Sequence, residues 1–236
     1  MNTGPSNLPA GDITVLYEDE ALLVLDKPAG LLSVPGRGDD KQDCLSERAR
    51  RKFPDALVVH RLDMATSGLL VMARGVVAQR LLGKAFEARQ VLKRYIAVAD
   101  GDLRTLAASG ADEEGWSLID LPLMPDWPNR PLSKVDTEHG KPSRTRWRLA
   151  ADAPAGAPAY QPPPATTRVE LEPLTGRTHQ LRLHLQAIGH PIVGDALYAP
   201  APVAALAPRL LLHATALRFA HPLTGQPLAL HSPPPF

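Results

Sequence analysis

Short strand-forming segments alternate irregularly with helix-forming segments along this chain, and this order constrains the fold more than any other sequence feature. Apolar residues recur at spacing two in the strand segments and at spacing three or four in the helical ones. The segments lack the regular spacing of strand–helix–strand units, and the sequence contains no glycine-rich phosphate loop. The sequence therefore predicts an α+β fold with a mixed, mostly antiparallel sheet and flanking helices.

The predicted elements cover most of the chain up to residue 188. Strands are predicted at Ile13–Tyr17, Ala21–Asp26, Leu57–Val59, Gly68–Ala73, Leu92–Ala99, Ser117–Asp120, Ser143–Leu149 and Thr167–Glu172. Helices are predicted at Asp43–Phe53, Val76–Arg89 and Thr178–Ile188. Their apolar faces are expected to consist of Leu45, Ala49 and Phe53, of Val77, Leu81, Leu82, Ala85 and Phe86, and of Leu181, Leu185 and Ile188.

The predicted domain organisation is simple. Residues 1–12 are polar and contain glycine and proline, so we expect a flexible tail, followed by a single domain over residues 13–236. Residues 152–165, DAPAGAPAYQPPPA, have no apolar periodicity and are expected to form a Pro/Ala-rich loop. No signal peptide or membrane-spanning stretch is evident, and Cys44 is the only cysteine, so a cytoplasmic location is expected.

Charged residues are unevenly distributed, although the formal net charge is only +1. Residues 46–95 carry 11 basic and 4 acidic side chains, and residues 127–182 carry 9 and 5. Near-zero net charge argues against a uniformly basic protein that coats nucleic acid. The two basic stretches nevertheless allow an anionic partner if the fold brings them to one face, and ordinary solvated helix faces are the alternative.

The most unusual stretch is HRLDMATSG at residues 60–68, a polar turn between two apolar strands. A purely structural turn would more often contain glycine, proline or asparagine, so this concentration of hydrogen-bonding groups points to chemistry. Asp63 is the candidate nucleophile, because an ionised carboxylate can attack an electrophilic carbon such as C1′ of a sugar. The alternative is structural: the Asp63 side chain would form a local turn with Thr66 or Ser67.

A second polar stretch, TGRTHQLRLH at residues 175–184, opens the last predicted helix. Arginines at a helix start are repelled by the positive end of the helix dipole, so their position suggests an anionic partner, either a phosphate or a buried carboxylate. Arg182 could pair with Asp63 and keep its carboxylate ionised. His179 and His184 are five residues apart rather than four, so no metal site is expected, and core or surface histidines are the preferred interpretation.

Tyr95 lies in a third stretch, KRYI at residues 93–96, at the start of a predicted strand. The chain has only four tyrosines, and aromatic rings stack on the unpaired bases of nucleic acids. The alternative is that the Tyr95 ring packs on the core and leaves its hydroxyl in solvent. None of the three stretches identifies a function by itself.

Together, these stretches resemble the RluA-type pseudouridine synthase family in motif and order. The matching segments are HRLDMATSG at 60–68, KRYIAV at 93–98 and LTGRTHQLRLHLQAIGHPIVGDALY at 174–198. Further matches are LLVLDKPAGLLSVPG at 22–36, LPLMPDWPNRPLSKV at 121–135 and RLLLHATALRFAHPLTG at 209–225. The resemblance covers about residues 13–230.

The resemblance implies an enzyme that isomerises uridine to pseudouridine in RNA without cofactor or metal, in a catalytic domain whose sheet has a cleft across its middle. Asp63 looks like the family's catalytic aspartate, Arg182 like the arginine that pairs with it, and Tyr95 like the aromatic residue that stacks on the target uracil. Arg61 would enter the RNA and help to displace the target nucleotide, and Leu181 would line the uracil pocket. The remaining substrate-binding candidates in these motifs are His60, Thr66, Arg177 and Gln180.

The DWPNRP segment at residues 126–131 and the lack of an S4-type RNA-binding domain resemble the short, dual-specificity branch of this family. That branch implies uridine 32 of the tRNA anticodon loop and uridine 746 of 23S rRNA as targets, and these RNAs as partners. Nothing in the sequence demands more than a monomer. Two rival interpretations stand: a non-catalytic RNA-binding protein, and a hydrolase of nucleosides or glycosides. The hydrolase would need a second carboxylate to activate water, and no convincing candidate is evident in the sequence.

Overall fold

The computed structural model describes residues 12–151 and 165–236. These residues cluster into two compact units: residues up to Lys93 with His213–Pro233, and Arg94–Leu212 with Pro234–Phe236. The predicted N-terminal tail, except its last residue, and the predicted Pro/Ala-rich loop, except Ala165, lie outside the described residues. The single domain over residues 13–236 stays a prediction.

The described residues form twelve strands, five α-helices and one short 3-10 helix, Asp39–Lys41, which the sequence did not predict. The strands are β1 Thr14–Glu18, β2 Leu22–Lys27, β3 Ala56–Val58, β4 Ser67–Arg74, β5 Leu92–Asp100, β6 Ser117–Asp120, β7 Leu123–Pro125, β8 Ser133–Val135, β9 Arg144–Leu149, β10 Thr166–Pro173, β11 Leu212–Ala220 and β12 Pro227–His231. The helices are α1 Leu45–Lys52, α2 Gly75–Glu87, α3 Arg104–Gly110, α4 Gln180–Ala187 and α5 Ala201–Ala204. Every predicted element is present with bounds that differ by at most about two residues. Elements that the sequence did not predict are α3, α5, β7, β8, β11 and β12.

The first unit is built around β4. This strand pairs antiparallel with β2 and β3, and β2 pairs antiparallel with β1. The first residues of β4 pair in parallel with β11, and β11 pairs antiparallel with β12. β4 is buried along nearly its whole length, so the polar loop that precedes it leads directly into the buried centre of this sheet.

Helix α2 packs on this sheet through part of the predicted apolar face. Leu82 is buried in the core cluster of the unit, and Ala85 and Phe86 pack against it, as predicted. Ala78, which was not predicted to belong to this face, is buried in the same cluster. The prediction that Val77 and Leu81 are buried is wrong, because their side chains are 65% and 41% exposed.

Helix α1 buries Leu45, Ala49 and Phe53 as predicted. Arg48 of the same helix is buried as well. Its Nε and Nη2 atoms donate to the two carboxylate oxygens of Asp43 at 2.8 and 2.6 Å. These hydrogen bonds raise the pKa of Arg48 and lower the pKa of Asp43, so the buried guanidinium keeps a charged partner at the surface.

Gly68 stands where β4 and β11 approach most closely. Its φ is +106°, and a Cβ atom there would lie 2.3 Å from the carbonyl oxygen of Ala214. Ser67 and Gly68 pair in parallel with His213 and Ala214 at this point. Only glycine fits such a position, so the last residue of the HRLDMATSG motif determines where the polar loop enters the sheet.

In the second unit, β10 pairs with β5 on one side and with β9 on the other, and β9 pairs with β6. These pairings are all antiparallel, and β7 and β8 form a separate antiparallel pair. Along β10, buried and half-buried residues alternate strictly, as expected of a strand with one face on a core. The observed architecture is the predicted one: a mixed, mostly antiparallel arrangement of strands with a few helices.

Ion pairs cover the other face of β10 and its neighbours. The pairs are Arg94 with Glu172 at 2.7 Å, Arg148 with Glu170 at 2.6 Å, and Arg146 with Asp112 and Glu114 at 3.3 Å. The guanidinium groups of these three arginines lie 4.2 to 4.9 Å from the centre of the buried Trp116 ring. Part of the positive charge counted along the sequence is therefore neutralised within this unit.

No helix within residues 12–151 and 165–236 combines the length and the apolar character that crossing a bilayer requires.

Candidate active site

The HRLDMATSG motif forms the loop that connects β3 to β4 in the first unit. Arg61 is exposed, Asp63 is half-buried, and Thr66 is buried at the end of the loop. The backbone N–H of Thr66 donates to the carbonyl oxygen of Asp63 at 3.1 Å, which closes a tight turn. The predicted catalytic carboxylate therefore lies on a turn rather than within a strand.

The backbone on both sides of Asp63 is anchored by residues of the first unit. On one side, the Ser33 hydroxyl donates to the carbonyl oxygen of Leu62 at 2.7 Å and accepts from its N–H at 3.1 Å. On the other side, the carbonyl oxygen of Met64 accepts from the Lys27 ammonium at 3.0 Å and from the Gly30 N–H at 2.8 Å. This anchoring holds the Asp63 Cα in place, as a catalytic group requires.

Lys27 is fully buried, which is rare for a lysine. Its ammonium also donates to the carbonyl oxygens of Pro28 at 2.8 Å and Leu31 at 2.7 Å. The turn that follows β2 is thereby tied to the loop that carries Asp63.

We expect the Lys27→Met variant to lower the free energy of unfolding by about 3 kcal/mol, because carbonyl oxygens that Lys27 satisfies would lose their donor. Urea unfolding measures this value. Lys84→Met, a change at an exposed position of α2, serves as the control and should alter stability by less than about 0.5 kcal/mol. Equal stabilities of the two variants would contradict the anchoring role of Lys27.

His60 is held by its surroundings. Its Nε2 atom accepts from the backbone N–H of Val71 at 2.9 Å, and its ring stacks on Phe86 of α2 with 4.5 Å between the ring centres. Burial, with a smaller contribution from the positive charge of Lys93, lowers the pKa of His60 to about 3. His60 is therefore a neutral residue that joins the loop to β4 and α2, and its predicted contact with substrate stays a prediction.

This pKa predicts a pH dependence of stability. Between about pH 6.5 and about pH 3, the unfolded chain binds a proton at His60 that the folded protein does not. The free energy of unfolding should therefore fall with decreasing pH, by up to about 1.4 kcal/mol per pH unit from this residue. His60→Gln keeps an acceptor for the Val71 N–H but does not titrate, so urea unfolding at several pH values should give a shallower slope. Parallel slopes would show that His60 is protonated in the folded state.

A buried hydrogen-bond network lies at the end of the loop. The Ser67 hydroxyl and His213 Nδ1 are 2.8 Å apart, and His213 Nε2 is 3.1 Å from the Ser232 hydroxyl. That hydroxyl in turn donates to Asp26 at 3.2 Å. Local sequence patterns do not reveal that these residues support the loop, although His213 lies inside the motif RLLLHATALRFAHPLTG.

The second unit contains Tyr95, Leu181 and Arg182. Tyr95 is half-buried in β5, where it is paired with Leu171 of β10, and Leu181 is buried at the start of α4. The sequence predicted that Arg182 pairs with Asp63, and this pairing stays a prediction.

Arg182 forms a bidentate ion pair with Asp195, a partner that the sequence did not identify. Its Nε and Nη2 atoms donate to the two Asp195 oxygens at 2.8 and 2.6 Å, and the two side chains are only 4% and 0% exposed. Asp195 Oδ1 also accepts from the backbone N–H groups of Leu197 and Tyr198 at 2.9 and 3.2 Å. The Arg182 guanidinium therefore has a defined orientation within this unit.

The Gln180 side chain holds the loop before α4 through four hydrogen bonds. Its Oε1 atom accepts from the Thr175 hydroxyl at 2.8 Å and from the Arg177 N–H at 3.1 Å. Its Nε2 atom donates to the carbonyl oxygen of Arg144 at 2.9 Å and to the Thr145 hydroxyl at 3.0 Å. These contacts support a positioning role for Gln180, whereas Arg177 is exposed. Direct contact of either residue with substrate stays a prediction.

The two histidines of this stretch have structural partners. His179 Nδ1 lies 2.6 Å from the Tyr198 hydroxyl, and His184 is buried against Thr145 and the carbonyl oxygen of Leu121. Burial lowers the pKa of His184. Within residues 12–151 and 165–236, no group of three or more His, Cys, Asp or Glu side chains could hold a metal ion.

Comparisons with known proteins agree with the motifs. The family model described as RNA pseudouridylate synthase matches residues 21–187. The chain is 44% identical over 224 residues to the Dual-specificity RNA pseudouridine synthase RluA of Escherichia coli (strain K12), covering 95% of this chain and 94% of the relative. It is 46% identical over 214 residues to the protein of the same name from Yersinia pestis, covering 91% of this chain and 95% of the relative.

A solved structure shares the fold over nearly the whole chain. The structure of Human RNA Pseudouridylate Synthase Domain Containing 1 matches with a TM-score of 0.73 and 27% sequence identity, covering 98% of this chain and 87% of that one. Human RNA Pseudouridylate Synthase Domain Containing 4, at 22% identity and a TM-score of 0.65, shares the fold. The chain therefore belongs to the RNA pseudouridylate synthase family and is an RNA pseudouridine synthase, an isomerase.

Proposed function

We propose that this enzyme converts uridine 32 of the tRNA anticodon loop and uridine 746 of a 23S rRNA hairpin to pseudouridine, with Asp63 as its catalytic residue. The observation that carries the assignment of Asp63 is its anchored backbone, with Leu62 and Met64 each held by buried side chains. The choice of substrates is supported by the DWPNRP segment and by the similarity to relatives named for dual specificity.

The reaction rearranges the substrate without adding or removing atoms overall. The N1–C1′ bond breaks, the freed uracil turns, and C5 bonds to C1′, while C5 loses a proton and N1 gains one. Because no oxidation or external group is involved, no cofactor is needed. The target uridine must first leave its stack, as in other enzymes that act on a base.

Asp63 starts this rearrangement as a carboxylate beside the ribose. It can attack C1′, add to C6 of the uracil, or take the C2′ proton, and each route requires the ionised form. Pairing with the Arg182 guanidinium would keep the carboxylate ionised. A pocket closed to water would retain the uracil between the two bond changes.

Further roles follow for the other candidates. Tyr95 stacks on the target uracil, and Leu181 lines its apolar pocket. The exposed Arg61 and Arg177 bind phosphates or displaced bases, and Arg61 helps to expel the target nucleotide. Substrate contacts are also assigned to His60, Thr66 and Gln180, which in addition support the loops that carry Asp63 and Arg182. We further propose that the enzyme acts as a monomer in the cytoplasm, where tRNA and rRNA are found.

The test compares RNA from cells with and without the gene by carbodiimide labelling, which marks pseudouridine. The expected result is loss of the two modifications in the deletion strain and their return with the wild-type gene. If the enzyme modifies other uridines, the proposed targets are wrong, but the proposed reaction stands. A non-catalytic RNA-binding protein predicts RNA that is unchanged by the deletion, and a hydrolase predicts release of free uracil.

A further inference from the structure

The tryptophan side chains of this protein differ sharply in exposure. Trp116 and Trp147 are 3% and 2% exposed, whereas Trp127 is 61% exposed. Trp127 lies in residues 126–132, which connect β7 to β8 in the second unit. A tryptophan in solvent contributes little to the core, and its ring is available for contacts at the surface.

The loop that carries Trp127 is braced by its own hydrogen bonds. The Asp126 N–H donates to the carbonyl oxygen of Leu132 at 2.9 Å, and the Leu132 N–H donates to that of Asn129 at 3.0 Å. The Asn129 side-chain amide donates to the Asp126 carboxylate at 2.9 Å. These hydrogen bonds hold the backbone that carries Trp127, which lowers the entropy lost when a ligand stacks on its ring.

The hairpin is also attached to the segment that precedes α4. The backbone N–H of Ser133 donates to the Tyr198 hydroxyl at 3.0 Å, and that hydroxyl lies 2.6 Å from His179 Nδ1. His179 is the residue directly before α4. The hairpin that carries the exposed Trp127 ring is therefore hydrogen-bonded to other residues of the second unit.

Arg130 lies on the Trp127 ring, with its guanidinium carbon 3.6 Å from the ring centre. Rings and guanidinium planes are the groups that proteins use to stack on unpaired bases, and arginine also binds phosphate. A protein partner would instead favour a contiguous apolar patch. The segment 123–135 carries two basic residues, Arg130 and Lys134, against the single acidic Asp126.

We propose that Trp127 and Arg130 form a binding site for an unpaired nucleotide of the RNA substrate other than the target uridine. The base stacks on the Trp127 ring, and Arg130 contacts the base plane or its phosphate. This site would select RNA by requiring a splayed-out base at a set position in the loop. The inference rests on the proposed function, because the RNA must be a substrate of this enzyme.

The fluorescence of Trp127 provides a direct test, because the other two tryptophans are buried. The probe is an RNA stem-loop with the sequence of a tRNA anticodon arm, titrated into the Asp63→Asn variant so that the RNA is not converted. We expect RNA to quench the tryptophan emission and to protect it from acrylamide. Adding Trp127→Leu to the same background should remove the RNA-dependent change.

Affinity provides the second measurement. From the range measured for base–aromatic stacking, Trp127→Ala should raise the Kd for the stem-loop about 5-fold to 150-fold. Trp127→Phe keeps an aromatic ring and should raise the Kd by less than about 5-fold. Leu118→Ala, which removes another exposed apolar side chain of the second unit, is the matched control and should leave the Kd unchanged.

Two failures are distinguishable. If the stem-loop binds and is modified by the wild-type enzyme, but Trp127→Ala changes neither the Kd nor the emission response, the nucleotide site is wrong and the proposed function stands. If carbodiimide labelling finds the same pseudouridines with and without the gene, the proposed function is wrong, and the proposed nucleotide site is then wrong as well. If Trp127→Ala unfolds at the same temperature as the wild-type protein, misfolding is excluded as the cause of a raised Kd.

Discussion

The Asp63→Asn variant is expected to form pseudouridine roughly a thousandfold more slowly than the wild-type enzyme, or slower still. A carboxamide has nearly the shape of the carboxylate but can neither attack a carbon nor accept a proton at neutral pH. RNA affinity should stay within about threefold, because Asp63 contributes to chemistry rather than to the attraction of phosphates. The measurement is tritium release from RNA labelled at C5 of uridine, since C5 loses its hydrogen when it bonds to C1′.

Asp55→Asn is the matched control for this experiment. Asp55 belongs to the same unit, is exposed and pairs with Arg74 at 3.1 Å. Because exposed ion pairs contribute little to the free energy of unfolding, the loss of this carboxylate should hardly affect the fold. The rate of this variant should stay within about twofold of wild type. Tritium release by Asp63→Asn at a rate near that of Asp55→Asn would remove Asp63 from the mechanism.

The elements that the sequence predicted well are those with a clear local pattern. Strand β6 has the predicted bounds Ser117–Asp120, and helix α4 ends before Gly189 as expected. Strands β11 and β12 were missed, and the first four residues of β11, LHAT, are all buried although His and Thr are polar, so this strand is not half-buried as its sequence would suggest. The parallel pairing of β11 with β4 depends on contacts between residues about 146 positions apart in sequence, such as Ser67 with His213, and local periodicity carries no information about such contacts.

The apolar face of α2 shows a second limit of pattern reading. Val77 and Leu81 form one apolar stripe, and Ala78 and Leu82 form the next stripe around the helix. The sequence offers both stripes, and only packing against the sheet decides that Ala78 and Leu82 are buried. The prediction included Leu82 correctly, but hydrophobicity favoured Val77 and Leu81 over the smaller Ala78, which is the residue that is buried.

In the candidate site, motifs identified residues but not their partners. Lys27 lies in a Lys–Pro–Ala–Gly segment that is typical of an exposed turn, yet its ammonium is buried against the carbonyl oxygen of Met64, 37 residues later. Arg182 was expected to have an anionic partner on electrostatic grounds, and the buried Asp195 is such a partner. The need for a counter-charge was predictable from the sequence, whereas its identity depends on the fold.

The largest effect on stability is expected at this buried pair. Asp195→Asn leaves a buried guanidinium without its counter-charge and should lower the free energy of unfolding by about 3 to 5 kcal/mol. Arg182→Met leaves a buried carboxylate and should cost a similar amount. The double variant should be more stable than the sum of the two losses implies, by about 2 kcal/mol or more, because neither charge is then left alone. Urea unfolding of the four proteins measures this coupling energy.

The exposed pair of Arg50 with Glu47 on α1 provides the reference cycle, since both side chains are more than one third in solvent. Arg50→Met and Glu47→Gln should each change stability little, and their coupling should be about 0.5 kcal/mol or less, because water screens both charges. If the Arg182 and Asp195 variants show coupling no larger than this reference, the two charges do not depend on one another, and Asp195 does not orient Arg182. A large coupling, together with reduced pseudouridine formation by Asp195→Asn at a temperature where it stays folded, would show that the orientation of Arg182 also matters for the reaction.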